Sequence, residues 1–129
     1  AGTAASIRTA IQNAKPGAVI TVELTDPFNL DIGAIIKRDP GVWVIFDPAQ
    51  VFSIAHNASA TVSNLHFIGG VPSYDLVPGN DPAAAQSYGV YCGPNASKIS
   101  FRGMRFDQSR NSIFLDRATD IVVDKCVSQ

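Results

Sequence analysis

Two carboxylates in the last quarter of the chain are candidates for catalysis. Asp107 and Asp116 lie nine positions apart among short, strand-like runs of residues. Glycoside hydrolases use two acids whose carboxyl groups lie about 5–9 Å apart, and one of them protonates the leaving oxygen. Asp107 and Asp116 can act in this way only if both side chains leave the same face, and the sequence leaves their separation open.

Three aromatic residues near these acids, Tyr88, Tyr91 and Phe114, are candidates for binding a sugar ring. The apolar alternation in the runs GVYC and SIFL places Tyr91 and Phe114 on the outer face of two strands. Three interpretations stay open: cover by an inserted segment at 69–87, stacking against a sugar, or contact with another subunit.

The bulk composition favours one strand-rich domain. The chain has 129 residues with 46% apolar and 16% charged side chains, a mixture that suits a packed core. Its formal net charge of −1 gives no bulk attraction to nucleic acid or to an anionic membrane. No apolar run approaches the roughly 20 residues of a membrane span. We therefore expect neither a nucleic acid nor a membrane as a partner.

Residues 1–17 predict one capping helix, and the chain from 18 to 129 predicts strands. Thr3 is a suitable N-cap, and Pro16-Gly17 ends the helix. Apolar residues recur in it at the spacing i, i+3, i+4 and i+7: Ile7, Ala10, Ile11 and Ala14. The run VWVIF at 42–46 predicts a strand that is apolar on both faces, so one of its apolar faces has to point away from the core.

An internal repeat determines the predicted architecture. It comprises the runs SATVSNLHF (59–67), KISFRGMRF (98–106) and DIVVDKCVS (120–128). The later two are 22 positions apart, and the first two are 39 apart, which we interpret as one coil plus an insertion of 17 residues. This alignment predicts four inward positions in each copy, with equivalent residues such as Leu65, Met104 and Cys126 stacked in one column. The inward residues are Ala60, Val62, Leu65 and Phe67 in the first copy; Ile99, Phe101, Met104 and Phe106 in the second; and Ile121, Val123, Cys126 and Ser128 in the third. A recurring register of this length is typical of a parallel β-solenoid, whereas the alternative, an antiparallel sandwich, does not require it.

The same register places the charged side chains and the cysteines. Lys98 is expected below Asp120 and Arg102 below Asp124, either as solvated charge pairs or as the wall of a shallow polysaccharide groove. His66 is expected below Arg105, and neither His66 nor His56 has a catalytic partner in the pattern. The two cysteines, Cys92 and Cys126, fall in different strand ladders, so we predict free buried thiols.

The run ASKISFRGMRFDQSRNSIFLDRATDIVVDKCVSQ resembles right-handed parallel β-helix proteins of the pectate-lyase-like superfamily, which includes polysaccharide lyases and phage tailspikes. The opening helix followed by KPGAVITVEL resembles the start of that family. The resemblance implies an all-β, right-handed parallel β-helix of about four to five coils. It also implies an extracellular or virion-surface location.

The resemblance implies a calcium ion as the cofactor. IVVDKC is similar to the lyase stretch whose Asp binds calcium, which makes Asp124 the candidate ligand, with Asp107 and Asp116 as weaker partners. Lys125 stands where that stretch often has His. Calcium takes about six to eight oxygen ligands, so one aligned Asp is not a complete site.

The same resemblance implies a basic side chain that removes the proton next to a uronate carboxylate in β-elimination. Arg102, Arg105 and Arg117 are the candidates, each on the condition that it projects beside Asp124. Hydrolysis by the paired carboxylates is the other enzymatic route.

The last repeat is expected to leave Ile121, Val123 and Cys126 without a cover. Further β-helix coils or another chain, as in a homotrimer, would cover them. The function expected is a carbohydrate-directed module with a polysaccharide as partner, the N-terminal part of a lyase, a hydrolase or a tailspike-like depolymerase. The alternative is a non-catalytic structural or adhesion module of a virion fibre or surface protein.

Overall fold

The computed structural model describes residues 3–56, 60–73, 88–106 and 111–128. Its first element is helix α1, Ala4–Asn13, as predicted. Thr3 caps the helix through a reciprocal pair of hydrogen bonds with Ser6, so two free backbone N–H groups are satisfied. Ile7 and Ile11 are buried, which places the apolar stripe of the helix on the core.

Two basic side chains join α1 to the strands. Arg8 donates to the carbonyl oxygens of Asp31 and Gly33, the latter at 2.7 Å. The ammonium group of Lys37 donates to the carbonyls of Gln12 at 2.8 Å and of Ala14 at 2.7 Å. A cation at the C-terminal end of a helix satisfies free carbonyls and interacts favourably with the helix dipole. The helix is thus held on one end of the strand stack.

The described chain continues as short strands that pair in parallel. They are β1 Val19–Val22, β2 Phe28–Asp31, β3 Val42–Phe46, β4 Val51–Ala55, β5 Val62–Ile68, β6 Val71–Pro72, β7 Tyr88–Cys92, β8 Ala96–Arg102, β9 Arg105–Phe106, β10 Asn111–Leu115, β11 Val122–Asp124 and β12 Val127–Ser128. The first sheet has the order β1-β3-β5-β8-β11, and the second has the order β10-β7-β4-β2, with β6 beside β4. A third sheet pairs β12 with β9. This is a parallel β-solenoid of about three turns.

The strand register confirms the 22-residue spacing and corrects the 39-residue spacing. Val122 pairs with Ser100, which is the predicted offset of 22. In contrast, Leu65 pairs with Ile99 and Phe67 with Phe101, an offset of 34. The predicted column of Leu65 over Met104 is therefore wrong. The segment between these two coils is five residues shorter than the alignment required.

A row of left-handed residues explains the correct register. Residues with positive φ occupy one equivalent corner of successive coils: Gly17 (φ 89), Gly41 (φ 89), Asn64 (φ 59), Lys98 (φ 56) and Asp120 (φ 54). Gly17, Gly41 and Asp120 turn the backbone just before a strand of the first sheet, whereas Asn64 and Lys98 lie within β5 and β8. Alternation of apolar residues does not mark such a corner, and lysine is not a usual residue there. The sequence alignment therefore matched the apolar pattern and missed the turn.

Apolar ladders fill the space between the sheets. Val42, Val44 and Phe46 of β3 point inward and are buried, so the outer apolar face predicted for this strand belongs to Trp43 and Ile45. The rings of Phe46 and Phe67 lie 6.1 Å apart at 3°, and those of Phe67 and Phe101 lie 5.7 Å apart at 11°. Stacked pairs of this kind each add about 0.5–1.5 kcal/mol beyond the burial of their area.

The last coil exposes apolar side chains, and of the three residues predicted to be uncovered, Val123 is exposed. Val122 is 43% exposed, Val123 48% and Leu115 40%. Ile121 and Cys126 are only partly buried, and they pack against the edge of the core. Neither the side chain of Phe106 nor that of Ser128 is among the described residues. Within the described chain, no helix has the length and apolar character needed to cross a membrane.

The two cysteines are free, as predicted, and Cys92 belongs to the second sheet, whereas Cys126 lies between β11 and β12 and belongs to no strand. Cys92 is fully buried in β7, and its partner in the next strand is Leu115. Cys126 is only partly buried, so the expectation of a buried thiol is wrong for this residue. It lies at the exposed end of the solenoid, where no strand of the described chain covers it.

Candidate functional site

The outer face of the first sheet carries a column of polar and aromatic side chains. Trp43 of β3 pairs with His66 of β5, which pairs with Ser100 of β8, which pairs with Val122 of β11. Side chains two positions apart leave the same face of a strand, so Arg102 stands beside Ser100 on this surface. Parallel stacking thus brings together residues that are widely separated along the chain.

These residues line a groove beside the left-handed corner. It is lined by Trp43, His66 and Ser100 and by the corner residues Asp39 and Lys98. The groove has a volume of about 330 Å³, which falls within the roughly 300–1,000 Å³ of typical ligand sites. We call it the first-sheet groove.

His66 is held by three neighbours within the groove. Its Nδ1 lies 2.7 Å from the hydroxyl oxygen of Ser100, and its Nε2 lies 3.1 Å from the carbonyl oxygen of Pro40. Since a carbonyl can only accept, Nε2 carries the hydrogen in the neutral ring, and Nδ1 accepts from the Ser100 hydroxyl. The ring also packs against Trp43, with ring centres 4.7 Å apart. The orientation of the imidazole is therefore set from three sides.

The corner at Gly41 brings the Pro40 carbonyl to the histidine. A Cβ atom on Gly41 would lie 2.5 Å from the backbone oxygen of Asn64 and 2.9 Å from Nε2 of His66. Asn64 is itself fixed, because its amide donates to the carbonyl of Lys37 at 2.9 Å. Only glycine has both the left-handed φ and the small volume that this approach requires.

Two ion pairs stand at the edges of the groove. Arg102 lies 3.9 Å from Asp124, which confirms the predicted stacking of these residues on adjacent coils. Lys98 forms an ion pair with Asp39 across the corner, at 3.7 Å. All four side chains are about half exposed or more, so each pair contributes roughly 0–1 kcal/mol to stability. Their charges remain available to a ligand.

The prediction that His66 lies below Arg105 is wrong. The register places His66 against Ser100, whereas Arg105 belongs to β9 of the third sheet. The five-residue error in the alignment accounts for the difference. Arg105 is exposed, and its backbone N–H donates to the carbonyl of Gly70.

The other predicted site residues lie beside the second sheet. Asp116 accepts a hydrogen bond from Arg117 at 3.0 Å, which raises the pKa of the Arg117 guanidinium. Tyr91 is half-buried, and burial, followed by the nearby charge of Asp116, raises the pKa of its hydroxyl. Arg117 and Asp116 therefore do not join Arg102 and Asp124, which stand on the first sheet.

Some predicted site residues lie wholly or partly outside the described residues. Asp107 is outside them, so its separation from Asp116 stays a prediction. The backbones of Tyr88 and Phe114 belong to β7 and β10, and Phe114 pairs with Tyr91 as the alternation predicted. Their side chains, like residues 74–87 of the insertion, lie outside the description.

Of the three candidate bases, Arg102 is the one that stands beside Asp124. In the described part of the chain, no group of three or more His, Cys, Asp or Glu side chains is arranged to hold a metal ion. Asp124 is in an exposed strand and is paired with Arg102. Calcium binding at Asp124 stays a prediction.

The sequence analysis missed Ser100 and Asp39 as site residues, and it gave His66 no partner. An alignment at the offset of 34 would have placed Ser100 beside His66. The available signal was Asn64, a residue type that favours the left-handed conformation, at the position equivalent to Gly41 of the coil before.

Comparison with protein-family models, with curated proteins and with solved structures finds no match to this chain. The parallel solenoid and the first-sheet groove are thus the basis for a functional proposal.

Proposed function

We propose that this chain is a carbohydrate-directed β-solenoid module that binds a polysaccharide in the first-sheet groove. As the finer description of the fold, we propose a right-handed β-helix of four to five coils, similar to the pectate-lyase-like superfamily. An extracellular or virion-surface location belongs to the same proposal.

The observation that carries the proposal is the composition of the groove. One aromatic ring, Trp43, stands beside an imidazole, a hydroxyl and two ion pairs on a rigid sheet. Aromatic rings supply apolar area for the faces of sugar rings, and carboxylates, guanidinium and ammonium groups hydrogen-bond strongly to hydroxyls. A ligand site combines an apolar surface with a few fixed polar groups in this way.

The parallel stacking suits a polymeric ligand. Adjacent strands lie about 4.8 Å apart, and the column Trp43, His66 and Ser100 runs across three of them. A chain lying along the stack would meet equivalent positions of successive coils. The ion pair of Arg102 with Asp124 extends this surface toward the last coil.

The proposal is tested by measuring polysaccharide binding with a glycan array, followed by calorimetric titration of the polymers that bind. Replacing Trp43 by Ala is expected to weaken the affinity at least tenfold, about 1.4 kcal/mol. Ile45→Ala is the matched control, because Ile45 leaves the same face of the same strand but does not line the groove. If no polysaccharide binds, or if both variants lose the same affinity, the proposal is wrong.

A structural or adhesion module is the second candidate function, and the exposed apolar residues of the last coil favour it. Leu115, Val122 and Val123 give this end of the solenoid an apolar surface. Exposed apolar patches often mark contacts between chains. A stable homotrimer in light scattering would support this candidate, and a monodisperse monomer at high concentration would argue against it.

A further inference from the structure

We propose that Ser100 and His66 form a nucleophile–base pair that removes small acyl groups, such as acetyl, from an ester placed in the first-sheet groove. The inference that the ester belongs to a sugar hydroxyl rests on the proposed function. The acyl-transfer chemistry of the pair does not depend on that function.

The first support is the arrangement of three groups in a row. A serine hydroxyl becomes a nucleophile when a base accepts its proton and a third group orients the base. Here the Ser100 hydroxyl lies 2.7 Å from Nδ1 of His66, and the opposite nitrogen is held 3.1 Å from the carbonyl of Pro40. Both distances fall in the hydrogen-bonding range that proton transfer requires. The carbonyl fixes the tautomer in which Nδ1 is free to act as the base.

The second support is that the base is held rigidly. The ring of His66 packs on Trp43, and the absence of a side chain at Gly41 allows the Pro40 carbonyl to approach. His66 and Ser100 also pair directly on adjacent strands of one sheet. Catalytic groups on strands keep their geometry better than those on loops.

The third support is the charge around the serine. Arg102 leaves the same face of β8 two positions after Ser100, and Lys98 lines the groove from the corner. These two cations, each paired with one carboxylate, can donate hydrogen bonds to the acyl oxygen as negative charge develops on it during attack. Ser100 lines the groove and is only 4% exposed, which restricts the reaction to a small acyl group.

The reaction is balanced by water alone. The Ser100 oxygen attacks the acyl carbon while its proton passes to Nδ1 of His66. The bond from the acyl carbon to the alcohol oxygen then breaks, and His66 returns the proton to that oxygen. Water attacks the acyl-serine, giving one proton to Nδ1, and the acid departs as Ser100 regains its proton. No metal or redox partner enters these steps.

The test begins with the intact chain and an alkyl fluorophosphonate, which reacts with activated serines. We expect one adduct by intact mass, and peptide mapping should place it on Ser100. Ser97→Ala is the matched control, because Ser97 belongs to the same strand but does not line the groove. The Ser97→Ala variant should react fully with the fluorophosphonate, whereas Ser100→Ala and His66→Gln should not react.

The second readout is the hydrolysis of 4-nitrophenyl acetate. Ser100→Ala should lower kcat/KM at least about 100-fold, the usual size of a base-assisted effect, while Ser97→Ala leaves it unchanged. An unlabelled wild-type chain, an adduct at another residue, or equal turnover in wild type and Ser100→Ala would overturn the proposal.

Neither probe contains a sugar, so the outcome is independent of polysaccharide binding. A chain that labels at Ser100 but binds no polysaccharide would refute the proposed function and leave the acyl chemistry standing. A chain that binds polysaccharide but is never labelled at Ser100 would refute the acyl chemistry and leave the proposed function standing.

Discussion

At the scale of single residues, the two histidines show how contacts separate a structural role from a chemical one. His56 is buried, its Nδ1 accepts the N–H of Gly93 at 2.9 Å, and its Nε2 faces the carbonyl of Ala60. Both ring nitrogens are thus satisfied by backbone groups, and the ring joins two coils. His66 instead contacts a hydroxyl that lines an open groove. The residue type is the same, but only His66 has a neighbour that can react.

Cys92 provides a residue-scale prediction about alkaline stability. Burial raises the pKa of its thiol to about 12 from an ordinary value of 9.0. The folded state keeps the thiol protonated because its pKa is raised, so the contribution of this thiol to the free energy of unfolding is complete below pH ~9. The contribution is lost as pH rises further, because the thiol of the unfolded chain then releases its proton while the buried thiol does not. Urea unfolding should show a loss of about 1.4 kcal/mol per pH unit between pH ~9 and ~11 from this group.

Two variants isolate the effect of Cys92 on alkaline stability. Cys92→Ala lowers stability at all pH values by opening a cavity, but it should remove this part of the pH slope. Cys126→Ala should keep the slope, because it leaves the buried Cys92 in place. Equal slopes for wild type and Cys92→Ala would show that burial of this thiol does not govern the alkaline loss.

At the scale of elements, apolar spacing predicted most of the fold. The stripe of Ile7 and Ile11 predicted α1, and the all-apolar run 42–46 predicted β3. The run did not decide whether the face with Trp43 or the face with Phe46 points outward. The 22-residue offset was also visible, because its two copies share both alternation and turn. The 34-residue offset was not, because at Lys98 the corner is defined by backbone dihedrals that lysine rarely adopts.

Two glycines give a matched test of these corners. Gly41 and Gly103 both have positive φ, of 89 and 66. A Cβ on Gly41 would lie 2.5 Å from the Asn64 carbonyl oxygen, whereas the nearest atom to a Cβ on Gly103 is 4.0 Å away. Gly103→Ala should therefore cost only the strain of the left-handed backbone, about 1–2 kcal/mol. Gly41→Ala should cost clearly more, because the backbone of the neighbouring coil has to move.

Urea unfolding of the two glycine variants at neutral pH measures this difference. A second consequence concerns the site, since moving the Asn64 corner displaces the Pro40 carbonyl from His66. Equal losses of stability for the two variants would mean that the close approach at Gly41 does not constrain the stack.

At the scale of the whole molecule, the site is a product of stacking. His66 and Ser100 are 34 positions apart, and only the register of β5 against β8 brings them within 2.7 Å. An alignment error of five residues was enough to pair His66 with Arg105 in the prediction. In a solenoid, therefore, a fold can be predicted from periodicity while the surface chemistry depends on an exact register.

Stacking also implies that stability is uneven along the solenoid. Strand β5 pairs on both sides, with β3 and β8, and Leu65 and Phe67 are fully buried. Strand β11 pairs in the described chain with β8 alone, and its Val122 and Val123 are about half exposed. The opposite end is covered by α1 through the buried Ile7 and Ile11. Opening should therefore begin at β11 and proceed toward the helix.

Amide hydrogen exchange read by mass spectrometry checks this order of opening. Amides of β11 should exchange at least about tenfold faster than those of β5, a difference of ~1.4 kcal/mol in opening free energy, and faster than those of the helix-covered β1. Val123→Thr, which reduces the exposed apolar surface at the same end, should leave the exchange of β5 unchanged. Uniform protection from β1 to β11 would mean either that the solenoid opens as one cooperative unit or that the apolar end is covered by another chain. Light scattering on the same sample separates these two outcomes, because only the second changes the molar mass.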